Sequence, residues 1–259
     1  MNANNPDRPG LPAVGLLLLA MLAATLLVHE VAAWIPQMVF PLVVQLTILA
    51  LPQLLLARLL GFQSTTTFAF RSLGVGRSIA VLLIAVSGFV VLLGVVNLQD
   101  VVFGELGVST REESAELERH IVQIEATGIL FLVLGVVVLP ALCEELFFRG
   151  FLQSGFVNAF GPTRGVIYTA LLFGAMHSSM IKLLPTTLLG LLFGFLVVRT
   201  RSIVASIVAH LMNNLCVILF ARIESSTFQH IPTLIIFPAL IALALALGYV
   251  IARSPSAND

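Results

Sequence analysis

The sequence predicts an all-α membrane protein, a polytopic bundle of about eight transmembrane helices with both termini in the cytoplasm. Its 259 residues are 59% hydrophobic and only 10% charged, whereas soluble domains carry roughly 25% charged residues. The mean hydropathy is +1.07, and the apolar residues fall into runs close to the ~20 residues that cross a bilayer. We interpret residues 1–259 as one integral membrane domain. A formal net charge of zero gives no indication of a nucleic-acid partner.

Eight apolar segments provide the predicted spans, and the first begins with a run from Leu11 that is too long for a typical signal-peptide core. The fifth, sixth and seventh segments are short and closely joined. Between the third and fourth, Thr110 to Glu113 fits a capping box, which predicts an amphipathic helix on the outer surface. The eight segments are residues 11–33, 37–60, 77–98, 127–154, 163–181, 184–199, 202–220 and 231–252.

The placement of arginine and lysine predicts the orientation, because cytoplasmic loops carry an excess of positive charge. With the N-terminus inside, nine of the 13 basic residues fall at cytoplasmic ends of the spans. The acidic loop from Asp100 to Glu125 then lies outside. The nine residues are Arg8, Arg58, Arg71, Arg77, Arg149, Arg164, Arg199, Arg201 and Arg253.

The fourth span carries three ionisable residues, Glu144, Glu145 and Arg149. Inserting one such group at the centre of a membrane helix costs roughly 2.5–3.5 kcal/mol. The presence of three therefore indicates a functional role. Glu145 and Arg149 are four residues apart with the acid first, which predicts a same-face ion pair that largely neutralises itself. Glu144 has no basic residue at i+3 or i+4 and is therefore available as a general base. Pro140 cannot donate to the carbonyl of Val136, which predicts a bend that admits water near Glu144, or an ordinary kink.

Two further spans each carry a histidine, His177 in the fifth and His210 in the seventh, and Asn214 follows His210 by one helical turn. At 1.5 Å per residue, Glu144 lies ~15 Å, His210 ~12 Å and His177 ~21 Å from the cytoplasmic ends of their spans. Each residue alone has a structural interpretation, for example as a hydrogen-bond partner between helices. Phe173, four residues before His177, is expected to pack beneath the imidazole. Together the polar residues of three spans indicate an active site inside the membrane.

The polar residues of these spans form three motifs, one at Glu144 and Glu145, one that ends at His177 and one that begins at His210. The motifs resemble those of the CAAX protease and bacteriocin-processing family, the intramembrane glutamic endopeptidases that include the Ras-converting CAAX endopeptidases. The motifs occur in the family's order over about residues 128–220, which we take as the catalytic core. The resemblance implies that Glu144 and His177 activate the attacking water and that His210 and Asn214 donate hydrogen bonds to the oxyanion. It gives Glu145 and Arg149 supporting roles, and it implies no cofactor. The motifs are Glu144-Glu145-x-x-x-Arg149, Phe173-x-x-x-His177 and His210-x-x-x-Asn214.

Two alternatives stay open at this point. Glu144, His177 and His210 could bind zinc as a three-ligand open site of a zinc-dependent membrane protease. The chain could also be a non-enzymatic scaffold, immunity protein or transporter that uses its buried polar groups for binding. For a peptidase, the resemblance implies a peptide or protein substrate in or at the lipid bilayer, near the cytoplasmic side. The compact size and short loops favour a prokaryotic plasma (inner) membrane, where a prenylated substrate is less expected.

Overall fold

The structure, a computed structural model, describes residues 5–36, 39–106, 128–177, 179–222 and 233–253. These residues form a bundle of helices with no strand among them, which confirms the predicted all-α class. A short helical turn, Ser64–Thr67, lies between the second and third helices. The amphipathic helix predicted from Thr110 lies outside the described residues. The helices are α1 Leu11–Val31, α2 Phe40–Leu59, α3 Val75–Glu105, α4 Ile129–Phe160, α5 Pro162–Ala175, α6 Met180–Thr200, α7 Ile203–Arg222 and α8 Thr233–Ala252.

Within the described ranges, seven of these helices are long and apolar enough to cross a membrane, and α5 is not among them. It has 14 residues, or ~21 Å at 1.5 Å per residue, against a hydrocarbon core of ~30 Å. The chain then turns back, and the Ser179 side chain caps the start of α6 by accepting from the backbone N–H of Lys182. The predicted fifth span is therefore a short helix that forms a hairpin with α6.

Helices α4 and α7 form the centre of the bundle. In the most apolar 18-residue stretches of α4 and α7, 39% and 44% of the residues are buried. In those of α1 and α8 only 17% are buried, so these two helices turn most of their surface outward. One core cluster joins α1 and α2 to α4 around Phe147 and Phe151, and a second joins α3 and α8 to α6 and α7 around Phe193. Polar residues that face the bundle interior from α4 and α7 are thus shielded by the other helices.

Two helices depart from regular α geometry where a proline follows. Helix α2 has a π-helical turn at Gln45–Ala50 before Pro52, and α4 has one at Val133–Val138 before Pro140. Since proline has no N–H to donate, a widened turn before it accommodates the break in the hydrogen-bond ladder. A further π-helical turn, Leu146–Leu152, follows Glu145 in α4. Such turns often occur at functional sites.

One face of the bundle, which we call the N-terminal face, collects several helix ends. It consists of the segment before α1, the α2–α3 connection, the end of α4, the α6–α7 turn and the end of α8. The charge distribution predicts that this face is cytoplasmic. Its connecting hydrogen bonds include Asn158 Nδ2 to the Pro9 carbonyl (3.2 Å), Arg71 N to Ser202 Oγ (3.3 Å) and Arg77 Nη2 to the Arg253 carbonyl.

Helix α4 runs six residues beyond its predicted end at residue 154, to Phe160. Its last turn lies beside the segment that precedes α1, because Asn158 bonds the carbonyls of both Asn5 and Pro9. Glu144 therefore lies sixteen residues, ~24 Å, before the end of α4 at Phe160, rather than the ~15 Å counted from residue 154. His210 comes seven residues after the start of α7 at Ile203, which places it ~10 Å along the helix from the N-terminal face.

Candidate active site

Glu145 joins the two central helices. Its Oε1 accepts from Arg149 Nη1 at 2.8 Å within α4 and is 2.9 Å from His210 Nδ1 on α7. The side chains of Glu145 and Arg149 are both 0% exposed. The predicted i,i+4 ion pair is therefore present, and it is fully buried. The bond to His210 was not predicted, and it makes Glu145 the residue that orients this imidazole.

The buried guanidinium of Arg149 contacts a carboxylate, a backbone carbonyl and aromatic rings. Besides Glu145 it donates to the Gly190 carbonyl at 3.3 Å, and its Cζ lies 4.4 Å from the centre of the Phe173 ring. Helix α6 reaches this position because Gly190 has no side chain: a Cβ there would lie 2.9 Å from the Cα of Ala170 on α5. The glycine thus permits the close α5–α6 approach that positions the carbonyl.

Glu144 is in a different environment from its neighbour, as predicted. Its side chain is 15% exposed, and its Oε2 lies 3.9 Å from His210 Nε2. Its Oε1 accepts from Gln45 Nε2 of α2 at 3.3 Å. Glu144 is therefore oriented by neutral and imidazole groups rather than paired with an arginine. The His210 ring lies between the two carboxylates, with one nitrogen toward each.

The contact with Glu145 defines which ring nitrogen of His210 acts as a donor. An ionised carboxylate only accepts, so Nδ1 carries a hydrogen that it donates to Glu145. The opposite nitrogen, Nε2, faces Glu144 Oε2 at 3.9 Å, beyond hydrogen-bond distance. The ring is held in place by stacking on Phe193, with centroids 5.2 Å apart at an interplanar angle of 29°.

His177 lies in the turn after α5 rather than within a membrane span. Its Nδ1 is 2.8 Å from the Phe173 carbonyl, which can only accept, so Nδ1–H donates and Nε2 is left as an acceptor. The Phe173 ring packs against the rings of both His177 and His210, with centroids 5.0 Å and 6.0 Å away. Phe173 is thus the shared support of the two histidines, in agreement with its predicted packing role.

Asn214 is tied to α4 at the position that proline disturbs. Its Nδ2 donates at 3.2 Å to the carbonyl of Val136, the one that Pro140 cannot serve. Val136 is eight residues before Glu144 in α4, about two turns or ~12 Å, and its carbonyl points along the chain toward Glu144. The neighbouring Asn213 is buried and donates to Asn214 Oδ1 at 3.5 Å. Asn214 is the one of the two that reaches α4, as the four-residue spacing from His210 predicts.

Gln45 is a member of this site that sequence reasoning missed. A lone amide in the apolar run of α2 carries a weak signal, because a membrane glutamine also serves as a bond between helices. Its Oε1 is buried without a hydrogen-bond partner, while its Nε2 contacts Glu144. Gln45 stands at the start of the π-helical turn of α2, and this local geometry is not readable from apolar periodicity.

The zinc alternative requires Glu144, His177 and His210 to converge as ligands. Over the ranges that the structure describes, no group of three His, Cys, Asp or Glu side chains is spaced to hold a metal ion. His177 Nδ1 is engaged by a backbone carbonyl and His210 Nδ1 by Glu145. A histidine that binds a metal through one ring nitrogen commonly donates from the other to a carbonyl or carboxylate, so these contacts leave both Nε2 atoms open to a metal. Zinc dependence stays a prediction for biochemical test.

Fold and site together define a multi-pass membrane protein with a buried carboxylate–histidine–arginine cluster between its two central helices. Residues 126–216 match the family model described as Type II CAAX prenyl endopeptidase Rce1-like. The match runs from just before α4 into α7, and it contains Glu144, His177, His210 and Asn214. The resemblance to the CAAX protease family is confirmed over this segment, and it supports a membrane peptidase. No curated protein and no solved structure matches the chain.

Proposed function

We propose that this chain is an intramembrane endopeptidase that hydrolyses a peptide bond with a water activated by Glu144 and His177. The observation that carries the proposal is the convergence of Glu144 from α4 and His210 from α7, 3.9 Å apart between their side-chain N and O atoms. Ionisable residues within membrane helices usually pair with one another or with backbone carbonyls. Glu144 instead keeps a partly exposed carboxylate beside an imidazole.

Glu144 is the proposed general base. Its carboxylate takes a proton from the water while the water oxygen attacks the carbonyl carbon of the substrate. His177 Nε2, left as an acceptor, accepts a hydrogen bond from the other O–H of that water, and the unpartnered Gln45 Oε1 is a further acceptor close to Glu144. A positioned base of this kind contributes ~10²–10⁴-fold to the rate.

His210 and Asn214 are the proposed oxyanion donors. As the tetrahedral intermediate forms, its negative oxygen accepts hydrogen bonds from a hydrogen on His210 Nε2 and from the second Nδ2 hydrogen of Asn214. Glu144 then passes its proton to the leaving nitrogen and the C–N bond breaks. Glu145 and Arg149 act on this step through His210, whose ring they orient. Loss of one oxyanion donor costs ~10²–10³ in rate.

The proposed substrate is a membrane-associated segment of a peptide or protein, cut near the cytoplasmic side of a prokaryotic plasma membrane. The position of His210, ~10 Å along α7 from the N-terminal face, supports cleavage in that half of the bilayer. The matching family is described as prenyl endopeptidases, so the substrate class extends to lipid-modified tails. Whether the substrate is prenylated is decided by identifying the released peptides.

The test compares cells that express the wild-type chain, Glu144→Gln or Glu30→Gln, by mass spectrometry of the membrane proteome and of released peptides. Glu30 is an exposed carboxylate at the end of α1 and serves as the matched control. Glu144→Gln is expected to lower cleavage at least ~10²-fold at unchanged membrane expression, while Glu30→Gln cleaves like the wild type. Retained turnover by Glu144→Gln would remove the general-base assignment.

Two further outcomes decide between this proposal and its alternatives. Activity that survives strong chelators supports the metal-free mechanism, whereas loss on chelation that added zinc restores supports a zinc protease. A Glu144→Gln chain that folds and still fulfils the cellular role of the wild type points to a scaffold, immunity or transport function.

A further inference from the structure

A polar cavity separate from the candidate active site opens on the N-terminal face of the bundle. Its volume is about 290 Å³, and its described lining includes neither Glu144 nor His210. It lies where the segment before α1, the α2–α3 connection, α4 and the α6–α7 turn meet. Four arginines line it, and the described lining contains no Asp or Glu: the arginines are Arg8, Arg71, Arg149 and Arg201.

Several buried polar atoms of the cavity wall have no hydrogen-bond partner. The residues Thr67, Gln153 and Ser154 are 3%, 2% and 8% exposed, so water does not replace the missing partners freely. Buried polar groups in folded proteins are nearly always paired. Five unpaired atoms around one cavity therefore indicate a polar ligand. They are Arg8 Nε, Thr67 Oγ1, Arg149 Nε, Gln153 Oε1 and Ser154 Oγ.

The charge of the cavity indicates the sign of that ligand. Arg8 lies outside the membrane-spanning helices, and burial lowers its pKa, with the positive charge of Arg71 adding to the effect. Both causes disfavour the charged guanidinium, and the attraction of an anion bound between the two side chains would offset them. A cationic or zwitterionic ligand with an exposed ammonium group would instead add to the repulsion.

We propose that this cavity binds the phosphate group of an anionic ligand that also carries hydroxyl groups. Arginine forks match phosphate oxygens in pairs, and the Thr67 and Ser154 hydroxyls can donate to the same oxygens. Gln153 donates its Nε2 to the Gly194 carbonyl at 3.1 Å, so its free Oε1 is an acceptor that suits a ligand hydroxyl. A phosphoglycerol group, free or as a lipid headgroup, has this combination.

The position of the cavity fits a headgroup. Arg8 comes three residues before α1 begins at Leu11, and Arg71 four before α3 begins at Val75. Spanning helices thus end at the cavity, at the level where headgroups lie, and basic pockets between membrane helices are suited to anionic headgroups. The cavity also adjoins the candidate active site, because Arg149 lines it and donates Nη1 to Glu145.

The test is native mass spectrometry of the full chain in an uncharged detergent, titrated with phosphatidylglycerol, phosphatidylcholine, glycerol 3-phosphate or inorganic phosphate. Arg8→Gln and Arg71→Gln remove cavity charges without touching the catalytic cluster, and Arg58→Gln, an exposed arginine at the end of α2, is the matched control. Each cavity variant is expected to raise the Kd about 10–100-fold, the effect of losing a charge-assisted hydrogen bond. The control keeps the wild-type Kd.

Tight binding of phosphatidylglycerol over phosphatidylcholine identifies a lipid headgroup, and binding of the soluble phosphates alone identifies a free phosphate ester. Equal binding of both lipids, no binding of any phosphate, or a Kd unchanged in both cavity variants overturns the proposal. If the variants do not fold, phenylglyoxal modification of the wild-type chain gives the answer. Phosphate ligands are expected to slow modification of Arg71 and not of Arg58, and equal rates with and without them would refute the site.

Discussion

Replacing Arg149 with alanine leaves a buried carboxylate without its cation. Glu145 is 0% exposed, and its Oε2 already has no hydrogen-bond partner. In Arg149→Ala the carboxylate loses its cation and keeps its contact with His210, at 2.9 Å. The variant also loses the bond to the Gly190 carbonyl that joins α4 to α6. The perturbation therefore acts on the stability of the bundle and, through His210, on the site.

The size of the effect follows from the burial of the pair. Removing one partner of a fully buried ion pair costs about 3–5 kcal/mol, because the remaining charge is desolvated and unpaired. At roughly 2–4 °C per kcal/mol for a chain of this size, the melting temperature is expected to fall by about 6–20 °C. The double variant Glu145→Gln/Arg149→Met removes both charges and is expected to be more stable than Arg149→Ala.

The assay is thermal unfolding of the purified chain in detergent, followed by circular dichroism at 222 nm as a generic helix signal. Arg58→Ala is the matched control, since this arginine is exposed and its loss is expected to change stability by no more than about 0.5 kcal/mol. An Arg149→Ala chain that melts with the Arg58→Ala control would refute the reasoning. So would a double variant that melts below Arg149→Ala, because the unpaired charge would then not be the cause.

Three further predictions concern other parts of the chain. Gln45→Ala removes the hydrogen bond to Glu144 and is expected to lower kcat about 10–100-fold, with Gln63→Ala, an exposed amide, as the control in a peptide-release assay. Gly190→Ala forces a Cβ to 2.9 Å from the Cα of Ala170 and is expected to destabilise by about 1–3 kcal/mol in thermal unfolding, whereas Gly15→Ala, with open space around it, is not. Gln63→Cys on the α2–α3 connection is expected to react with impermeant thiol reagents only from the cytoplasmic side; labelling of intact cells from outside would invert the predicted orientation.

Local spacing was enough to predict the parts of the site that lie within one helix. The pairing of Glu145 with Arg149 follows from four-residue periodicity, and so does the alignment of Asn214 with His210 on α7. The different environments of Glu144 and Glu145 follow from their ~100° separation around a helix. These features depend on chain geometry alone, and so a single sequence carries them.

Contacts between helices could not be predicted from residue spacing within one helix. The Glu145–His210 bond and the approach of Gln45 to Glu144 depend on which faces of α2, α4 and α7 meet, and apolar patterning leaves that open because lipid-facing and buried positions are alike in hydrophobicity. The π-helical turns rotate the residues that follow them, which shifts any face read from a 3.6-residue period. The length of α5 was misjudged for a related reason: the apolar run around His177 continues through the turn into α6.

The bond between Glu145 and His210 spans 65 residues of chain, and this distance has a consequence for biogenesis. During translation α4 leaves the ribosome with its glutamate and arginine already adjacent, so the pair can enter the translocon as a neutral unit and much of the insertion penalty of two isolated charges is avoided. His210 emerges only later, and until it does Glu144 and Glu145 lack the imidazole that lies between them. Under the proposed mechanism the site is therefore incomplete during insertion, and it is completed only when the seventh helix docks.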